Sequence, residues 1–162
     1  MKLLRAIRFD ASDTQVFARA AEPDEWLVSG AGLYHGITDG ELKGKLRQAF
    51  ANGFLGVGSF GHSTFACVAL ADAGIADAME GELARQILER YGAPDLEAAR
   101  GVARDEIAFA ADLCRDLAPG TLVTVSRVLD ADGSVREAFR TIRPSGDADH
   151  NVRLWSDGGD DA

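Results

Sequence analysis

Apolar and polar residues alternate along several short stretches, and each of these stretches predicts a β-strand. They are 2–9, 15–21, 26–31, 54–60 and 63–70. The turn sequence EPDE at 22–25 separates the second stretch from the third, so these two predict a hairpin. The alanine-rich part that begins at Phe65 is compatible with a strand or a helix.

Apolar positions spaced three and four residues apart predict three helices. The first follows the motif TDGE at 38–41, a capping box whose threonine and glutamate side chains satisfy free N–H groups at a helix start. We expect this helix over 38–52, ending at Gly53. Two longer helices, the first from residue 75 and the second ending near 117, are separated only by GAP at 92–94. Such a short connection predicts an antiparallel helical hairpin.

The last third of the chain predicts a β-hairpin whose register follows from its turn. The tripeptide ADG at 131–133 is a three-residue loop with glycine at its left-handed position. Counting outward gives Leu129–Val135, Arg127–Glu137 and Val125–Phe139 on one face, and Val128–Arg136, Ser126–Ala138 and Thr124–Arg140 on the other. The first face is expected to be core. The second is expected to face solvent and to carry Arg136 and Arg140 as a docking spot for an acidic partner or a small anion.

Composition and charge narrow the class of protein. The 162 residues are 46% hydrophobic and 27% charged, which is typical of a globular domain. Seventeen basic against 26 acidic residues give a net charge of −9, which argues against a nucleic-acid partner. No apolar run approaches the roughly 18 residues that a membrane helix needs. The start MKLLRAIRFD lacks a signal-peptide core.

These features predict one α+β domain over residues 1–143: an antiparallel sheet of β-hairpins packed against the helical hairpin and the shorter helix. Residues 144–162 form an acidic tail. Within it we expect the segment 151–156, which carries Trp155, to dock as a short edge strand or against a groove, either on its own domain or on a neighbouring chain. Cys67 and Cys114 are expected to be reduced thiols, as in a cytoplasmic protein.

The segment GVGSFG at 56–61 matches the glycine pattern of dinucleotide-binding loops. That motif functions where it follows a strand and opens a helix. Here a helix precedes it and an extended segment follows, so we interpret it as a glycine-rich strand and tight turn, and we expect no nucleotide cofactor.

The histidines do not form a metal-binding pattern, because His35, His62 and His150 are far apart in the sequence and no cysteine lies at ligand spacing. We therefore expect no metal and no catalytic residue. His62, next to a glycine in a turn, is the histidine best placed to line a ligand site, although a surface role is the default interpretation. The acidic residues of the long helices, Glu106 among them, are expected on outer faces.

Two stretches resemble a family of small proteobacterial proteins known only as a domain of unknown function. They are MKLLRAIRFDASDTQVFARAAEPDEWLVSG and FGHSTFACVALADAGIADAMEGELARQILERYGAP, and the resemblance extends to about Arg143. Members tend to be encoded beside a biotin/lipoate-ligase-like protein and maturation proteins of molybdenum and iron–sulfur enzymes. The resemblance implies an accessory role in a redox system and brings no functional residues.

Two hypotheses about function follow. The first is a non-catalytic cytoplasmic accessory or adaptor protein with a protein partner, either as a monomer or as a homodimer. The alternative is a small-molecule-binding protein or small enzyme with a pocket near the turn at 56–62. The candidate ligand or partner residues are His62, Arg136, Arg140 and Trp155. A pocket lined by His62 and an arginine favours the second hypothesis, and a closed apolar interior there favours the first.

Overall fold

The computed structural model describes residues 1–143 in full and the backbone of residues 148–155. The strands are β1 Lys2–Ile7, β2 Trp26–Val28, β3 Phe54–Gly56, β4 His62–Ser63, β5 Phe65–Leu70, β6 Leu122–Leu129, β7 Val135–Ile142 and β8 Ala148–Trp155. The helices are α1 Ser12–Val16, α2 Gly44–Asn52, α3 Ala73–Tyr91 and α4 Leu96–Cys114, with short 3-10 helices at Ala31–Tyr34 and Asp39–Glu41.

The named strands form one sheet in the order β4-β3-β2-β1-β5-β6-β7-β8, with antiparallel neighbours throughout. The predicted β6–β7 register is confirmed at all six residue pairs, from Leu129 opposite Val135 to Thr124 opposite Arg140. Gly133 has φ of 88° in the connecting turn, which is why the loop needs glycine there. The segment from Phe65 is a strand.

The sheet is curved at one end because β4 and β5, which follow each other directly in the chain, lie far apart in the strand order. Strand β4 is the edge strand and pairs with β3. Strand β5 pairs with β1, the strand three positions from β4. Only Thr64 separates β4 from β5, so the sheet must curl until its edge meets its middle. This curvature brings Phe54 of β3 to a ring-centroid distance of 6.3 Å from Phe139 of β7.

The helices cover this sheet as the α+β prediction requires. Helices α3 and α4 pack against each other, and α4 contacts β1 and β2, whereas the shorter α2 contacts β6. Their apolar stripes are buried: Met79, Leu83 and Ile87 of α3 and Ala103 and Ile107 of α4 belong to the main core. No helix in the described part of the chain is long and apolar enough to cross a membrane.

The predicted hairpin over 15–21 and 26–31 is wrong. Residues Ser12–Val16 form a helical turn, and β2 pairs with β1 and β3 instead. In the 15–21 stretch, Ala20 makes only an isolated parallel bridge with His62. The local alternation was compatible with a strand, but long-range pairing places β2 between two other partners.

The first helix also starts later than predicted. The Glu41 carboxylate accepts the N–H of Thr38 at 2.9 Å, so the capping box forms, but it closes the 3-10 turn Asp39–Glu41. Helix α2 begins at Gly44, after the extended Lys43. Gly53, at the predicted end of this helix, is extended with φ of −105°.

The backbone of the C-terminal segment forms β8, antiparallel to β7, with an irregular register at Arg140/Thr141. The side chain of Trp155, and residues 144–147 and 156–162, lie outside the described part of the chain. The docking hypothesis for 151–156 stays a prediction.

Candidate functional site

A cleft of about 630 Å³ lies between α1, α2 and the face of the β6–β7 hairpin that was predicted to be polar. We call it the hairpin cleft. Its described lining consists of Ser12, Val16, Phe17, Gln48, Asn52, Thr64, Thr124, Val125, Ser126, Ala138 and Arg140. It combines hydroxyl and amide groups with an apolar floor and one cation. Among these described lining residues there is no carboxylate, histidine or thiol.

One side of the cleft is held in place by Arg127. Its Nη1 donates to the carbonyl oxygens of Phe50 and Gly53, both at 2.9 Å, at the C-terminal end of α2. The same guanidinium pairs through Nε with Oε2 of Glu137 at 2.7 Å. Because the last carbonyls of a helix have no partner within the helix, these bonds fix α2 against β6. Arg127 thereby positions Gln48 and Asn52 opposite the hairpin.

Arg127 belongs to a buried group of polar side chains, which we call the polar core cluster. Its members are Ser29, Glu106, Arg127 and Glu137. Ser29 Oγ donates to Oε2 of Glu137 at 2.5 Å. The N–H groups of Gly30 and Gly32 donate to the two oxygens of Glu106 at 2.9 and 3.0 Å.

The prediction that Glu106 lies on an outer helix face is wrong. Its carboxylate is turned inward, where it receives the N–H groups at the start of the 3-10 helix Ala31–Tyr34. Burial raises the pKa of Glu106, and the nearby Glu137 carboxylate acts in the same direction. A single glutamate on a helix gave no sequence signal for this, because its partners are backbone groups more than seventy residues away.

The opposite side of the cleft is held by Asp13. This buried carboxylate accepts the Thr64 hydroxyl at 2.6 Å and the Thr64 N–H at 3.2 Å. The two bonds join α1 to the link between β4 and β5. They hold the helical turn Ser12–Val16 against Thr64, and Ser12 and Val16 thereby line the cleft.

His62 lies behind the cleft floor and not in its lining. Its ring is 5.7 Å, centroid to centroid, from that of Phe17, whose side chain is 1% exposed and forms the floor. Burial lowers the pKa of His62 to about 4, and the positive charge of Arg127 acts in the same direction. His62 is therefore neutral near pH 7, and it supports Phe17 from inside.

The two predicted hairpin arginines are both exposed, but their surroundings differ. Arg136 Nη2 contacts both carboxylate oxygens of Asp130, at 3.1 and 3.0 Å. Arg140 lines the hairpin cleft and makes no hydrogen bond or ion pair within residues 1–143. The expected two-arginine spot is thus divided into Arg136, which is paired with Asp130, and Arg140, which has no partner among residues 1–143.

The glycine motif at 56–61 is a strand end and a tight turn, as predicted. Its N–H groups are used internally, because Glu25 Oε1 accepts those of Gly58 and Ser59 at 3.0 and 2.9 Å. Gln86 Nε2 donates to the Gly58 carbonyl at 2.5 Å. An acidic side chain of the same protein therefore occupies the position where a phosphate would bind in a dinucleotide loop.

Two further clefts are visible in the described part of the chain. One, of about 310 Å³, is lined by Ser29, Ala31, Gly32, Val102, Asp105, Glu106, Phe109 and Glu137. The other, of about 440 Å³, is lined by Leu96, Glu97, Arg100 and Arg104. In the second cleft Arg100 and Arg104 lie one turn apart on α4, and Arg104 Nε pairs with Oε1 of Glu80 at 3.2 Å. Within the described residues, no group of three or more His, Cys, Asp or Glu side chains is arranged to hold a metal.

Part of this site is predictable from the sequence. The hairpin register predicts that Arg140, Thr124 and Ser126 lie together, and the structure brings them to one cleft. The sequence did not predict the residues that α1 and α2 contribute, or Thr64. Polar residues at helix ends are common, and nothing in their spacing indicated that two distant segments meet at the hairpin.

The comparisons with known proteins yield one family. The model of a family described as a family of unknown function, DUF6505, matches residues 1–156. No curated protein and no solved structure matches the chain.

Proposed function

The chain belongs to this family of unknown function, and from its geometry we propose a non-catalytic accessory protein that binds a small organic anion in the hairpin cleft. The observation that carries the proposal is Arg140, a cation without a partner in residues 1–143, inside a cleft lined otherwise by neutral groups. A guanidinium is suited to carboxylates because its planar fork donates two parallel hydrogen bonds.

The construction of the cleft supports binding by a largely preformed site. Arg127 fixes α2 and Asp13 fixes α1, so the polar groups on both sides are held before a ligand arrives. The volume of about 630 Å³ falls within the roughly 300–1,000 Å³ that is usual for small-molecule sites. Preorganisation reduces the entropy lost on binding.

The cellular setting is part of the same proposal. Both cysteines, Cys67 and Cys114, are free thiols, which supports a reducing compartment such as the cytoplasm. In that compartment the protein would assist an enzyme, and we propose an enzyme of a molybdenum or iron–sulfur redox system, the setting that the resemblance implies. Co-purification from the native host followed by mass spectrometry identifies the protein partner, and it distinguishes a heteromeric partner from a homodimer.

The test of binding uses hexanoate as a simple monocarboxylate probe and compares wild type, Arg140→Gln and Arg136→Gln. We expect amide NMR shifts that saturate and cluster around the hairpin cleft in wild type and in the Arg136 variant. We expect these shifts to be lost in the Arg140 variant. Arg136 is a matched control because it is exposed on the same strand but paired with Asp130. Uniform shifts, or equal binding by all three proteins, would overturn the proposal.

A further inference from the structure

The charge of the hairpin cleft limits the charge of its ligand. Arg140 is the one cation among its described lining residues, and it can neutralise one negative charge. The protein carries a formal net charge of −9, and the buried Asp13 carboxylate lies directly behind the cleft residue Thr64. A dianionic group such as a phosphate monoester would leave one charge unmatched in this negative field. The electrostatics therefore favour a monoanion.

The hydrogen bonds that the cleft residues make with the protein determine which of their polar atoms are left for a ligand. Asn52 uses its Nδ2 to donate to the Val125 carbonyl at 3.3 Å, which leaves its Oδ1 free to accept. Thr64 donates its hydroxyl proton to Oδ1 of Asp13 at 2.6 Å, so towards a ligand its oxygen can only accept. Two acceptors are thus fixed in place at the cleft, and they require donors on the ligand.

We infer that the ligand of the hairpin cleft is a polyhydroxylated monocarboxylate, the class that includes the sugar acids; this rests on the proposed function. The carboxylate pairs with Arg140, and ligand hydroxyls donate to Asn52 Oδ1 and Thr64 Oγ1. The hydroxyls of Ser12 and Ser126 and the amide of Gln48 also line the cleft and provide further polar partners. The side chains of Val16 and Ala138, which are exposed and half-buried, supply apolar surface in the cleft for the carbon–hydrogen face of such a molecule.

The test compares four probes on the wild-type protein by calorimetry and NMR at constant ionic strength. Gluconate carries one carboxylate and hydroxyls, hexanoate lacks the hydroxyls, sorbitol lacks the charge, and ribose 5-phosphate carries hydroxyls with a dianionic head. We expect gluconate to bind about tenfold or more tightly than hexanoate, as two added hydrogen bonds permit. Sorbitol and ribose 5-phosphate should both bind more weakly than gluconate.

The outcomes separate this inference from the proposed function. If hexanoate binds through Arg140 and gluconate binds no more tightly, the hydroxyl requirement is wrong and the anion site stands. If ribose 5-phosphate binds more tightly than gluconate, the monoanion argument is wrong. If neither carboxylate binds at the cleft, both proposals fail.

A variant of Asn52 tests whether this residue contacts a hydroxyl group of the ligand. Asn52→Ala should remove most of the preference for gluconate over hexanoate, measured as the ratio of the two affinities in the same protein. A preference that survives unchanged in a folded Asn52→Ala protein contradicts the role of Asn52. The comparison of the four probes on wild type does not depend on whether the variant folds.

Discussion

Arg127 and Glu137 face each other across the β6–β7 hairpin and form an ion pair inside the protein, with Nε 2.7 Å from Oε2 and side chains 0% and 8% exposed. Arg127 also binds the end of α2, so the pair links the core to the hairpin cleft. Charges in such a position are costly to bury, and only their mutual bonds and those to Ser29 and the α2 carbonyls offset that cost.

Breaking this pair should therefore destabilise the protein strongly. Arg127→Met leaves the Glu137 carboxylate buried without its cation, and we expect the free energy of unfolding to fall by about 3–5 kcal/mol. The double variant Arg127→Met/Glu137→Leu should lose less than the sum of the two single variants, because it removes both charges. Urea unfolding of the four proteins measures this, and additive losses would show that the two residues are not coupled.

The lowered pKa of His62 predicts acid sensitivity. The ordinary value is 6.5 and the value in the folded protein is about 4, so the unfolded state binds the proton first. The contribution of His62 to stability is present above pH 6.5 and is lost as the pH falls from 6.5 towards 4. At about 1.4 kcal/mol for each pH unit between 6.5 and 4, the loss is on the order of 3 kcal/mol.

Two measurements check the His62 prediction. The imidazole proton signals of His62 should titrate with a midpoint near 4, and His62→Gln should show a shallower loss of stability than wild type over this pH range. A midpoint near 6.5 would mean that the ring is solvated and does not support the cleft floor.

The raised pKa of Glu106 has the opposite effect to the lowered pKa of His62 on the pH dependence of stability. Because the folded state holds the proton more tightly than the unfolded state, the stability contributed by Glu106 increases as the pH falls towards its ordinary value of 4.5. Relative to Glu106→Gln, wild type should gain free energy of unfolding as the pH is lowered towards 4.5. Parallel pH curves for the two proteins, from urea unfolding, would contradict the raised pKa of this carboxylate.

Substitutions at three glycines test whether there is room for a Cβ atom at each position. A Cβ at Gly81 would meet nothing within 4 Å, and the same holds at Gly101, so each change to alanine should stabilise its helix by about 1 kcal/mol. A Cβ at Gly61 would lie 2.6 Å from the backbone of Ala20, so Gly61→Ala should be clearly destabilising. If Gly81→Ala lowers the melting temperature in a concentration-dependent way, a second chain packs on α3.

The C-terminal segment can be tested by truncation after Gly146, which removes β8. Since the backbone of β8 pairs with β7, we expect the melting temperature to fall by a few degrees while the mass in solution stays the same. Loss of a dimer on truncation would instead make the tail a clasp between chains. No change in either quantity would show that the segment contributes nothing to the fold.

The sequence by itself determined the elements whose partners are close in the chain. The β6–β7 register followed from one turn and the alternation around it, because Arg127 and Glu137 are only ten residues apart and the pairing has period two. The helical hairpin followed from two apolar stripes and a connection too short for any other arrangement. The placement of Arg140 beside Thr124 and Ser126 followed from the same register.

The tertiary structure decided everything that depends on distant segments. The turn at Ser12–Val16 forms because Asp13 binds Thr64, fifty-one residues later, and Glu106 is buried because backbone N–H groups more than seventy residues away need an acceptor. The two sides of the hairpin cleft are held by Arg127, which binds the end of α2, and by Asp13, which binds Thr64. Alternation and helical spacing report which side of an element is apolar, but they do not say which distant polar group that element will meet. A carboxylate is stable inside a protein only where the fold supplies its donors, and only the complete fold shows where they are.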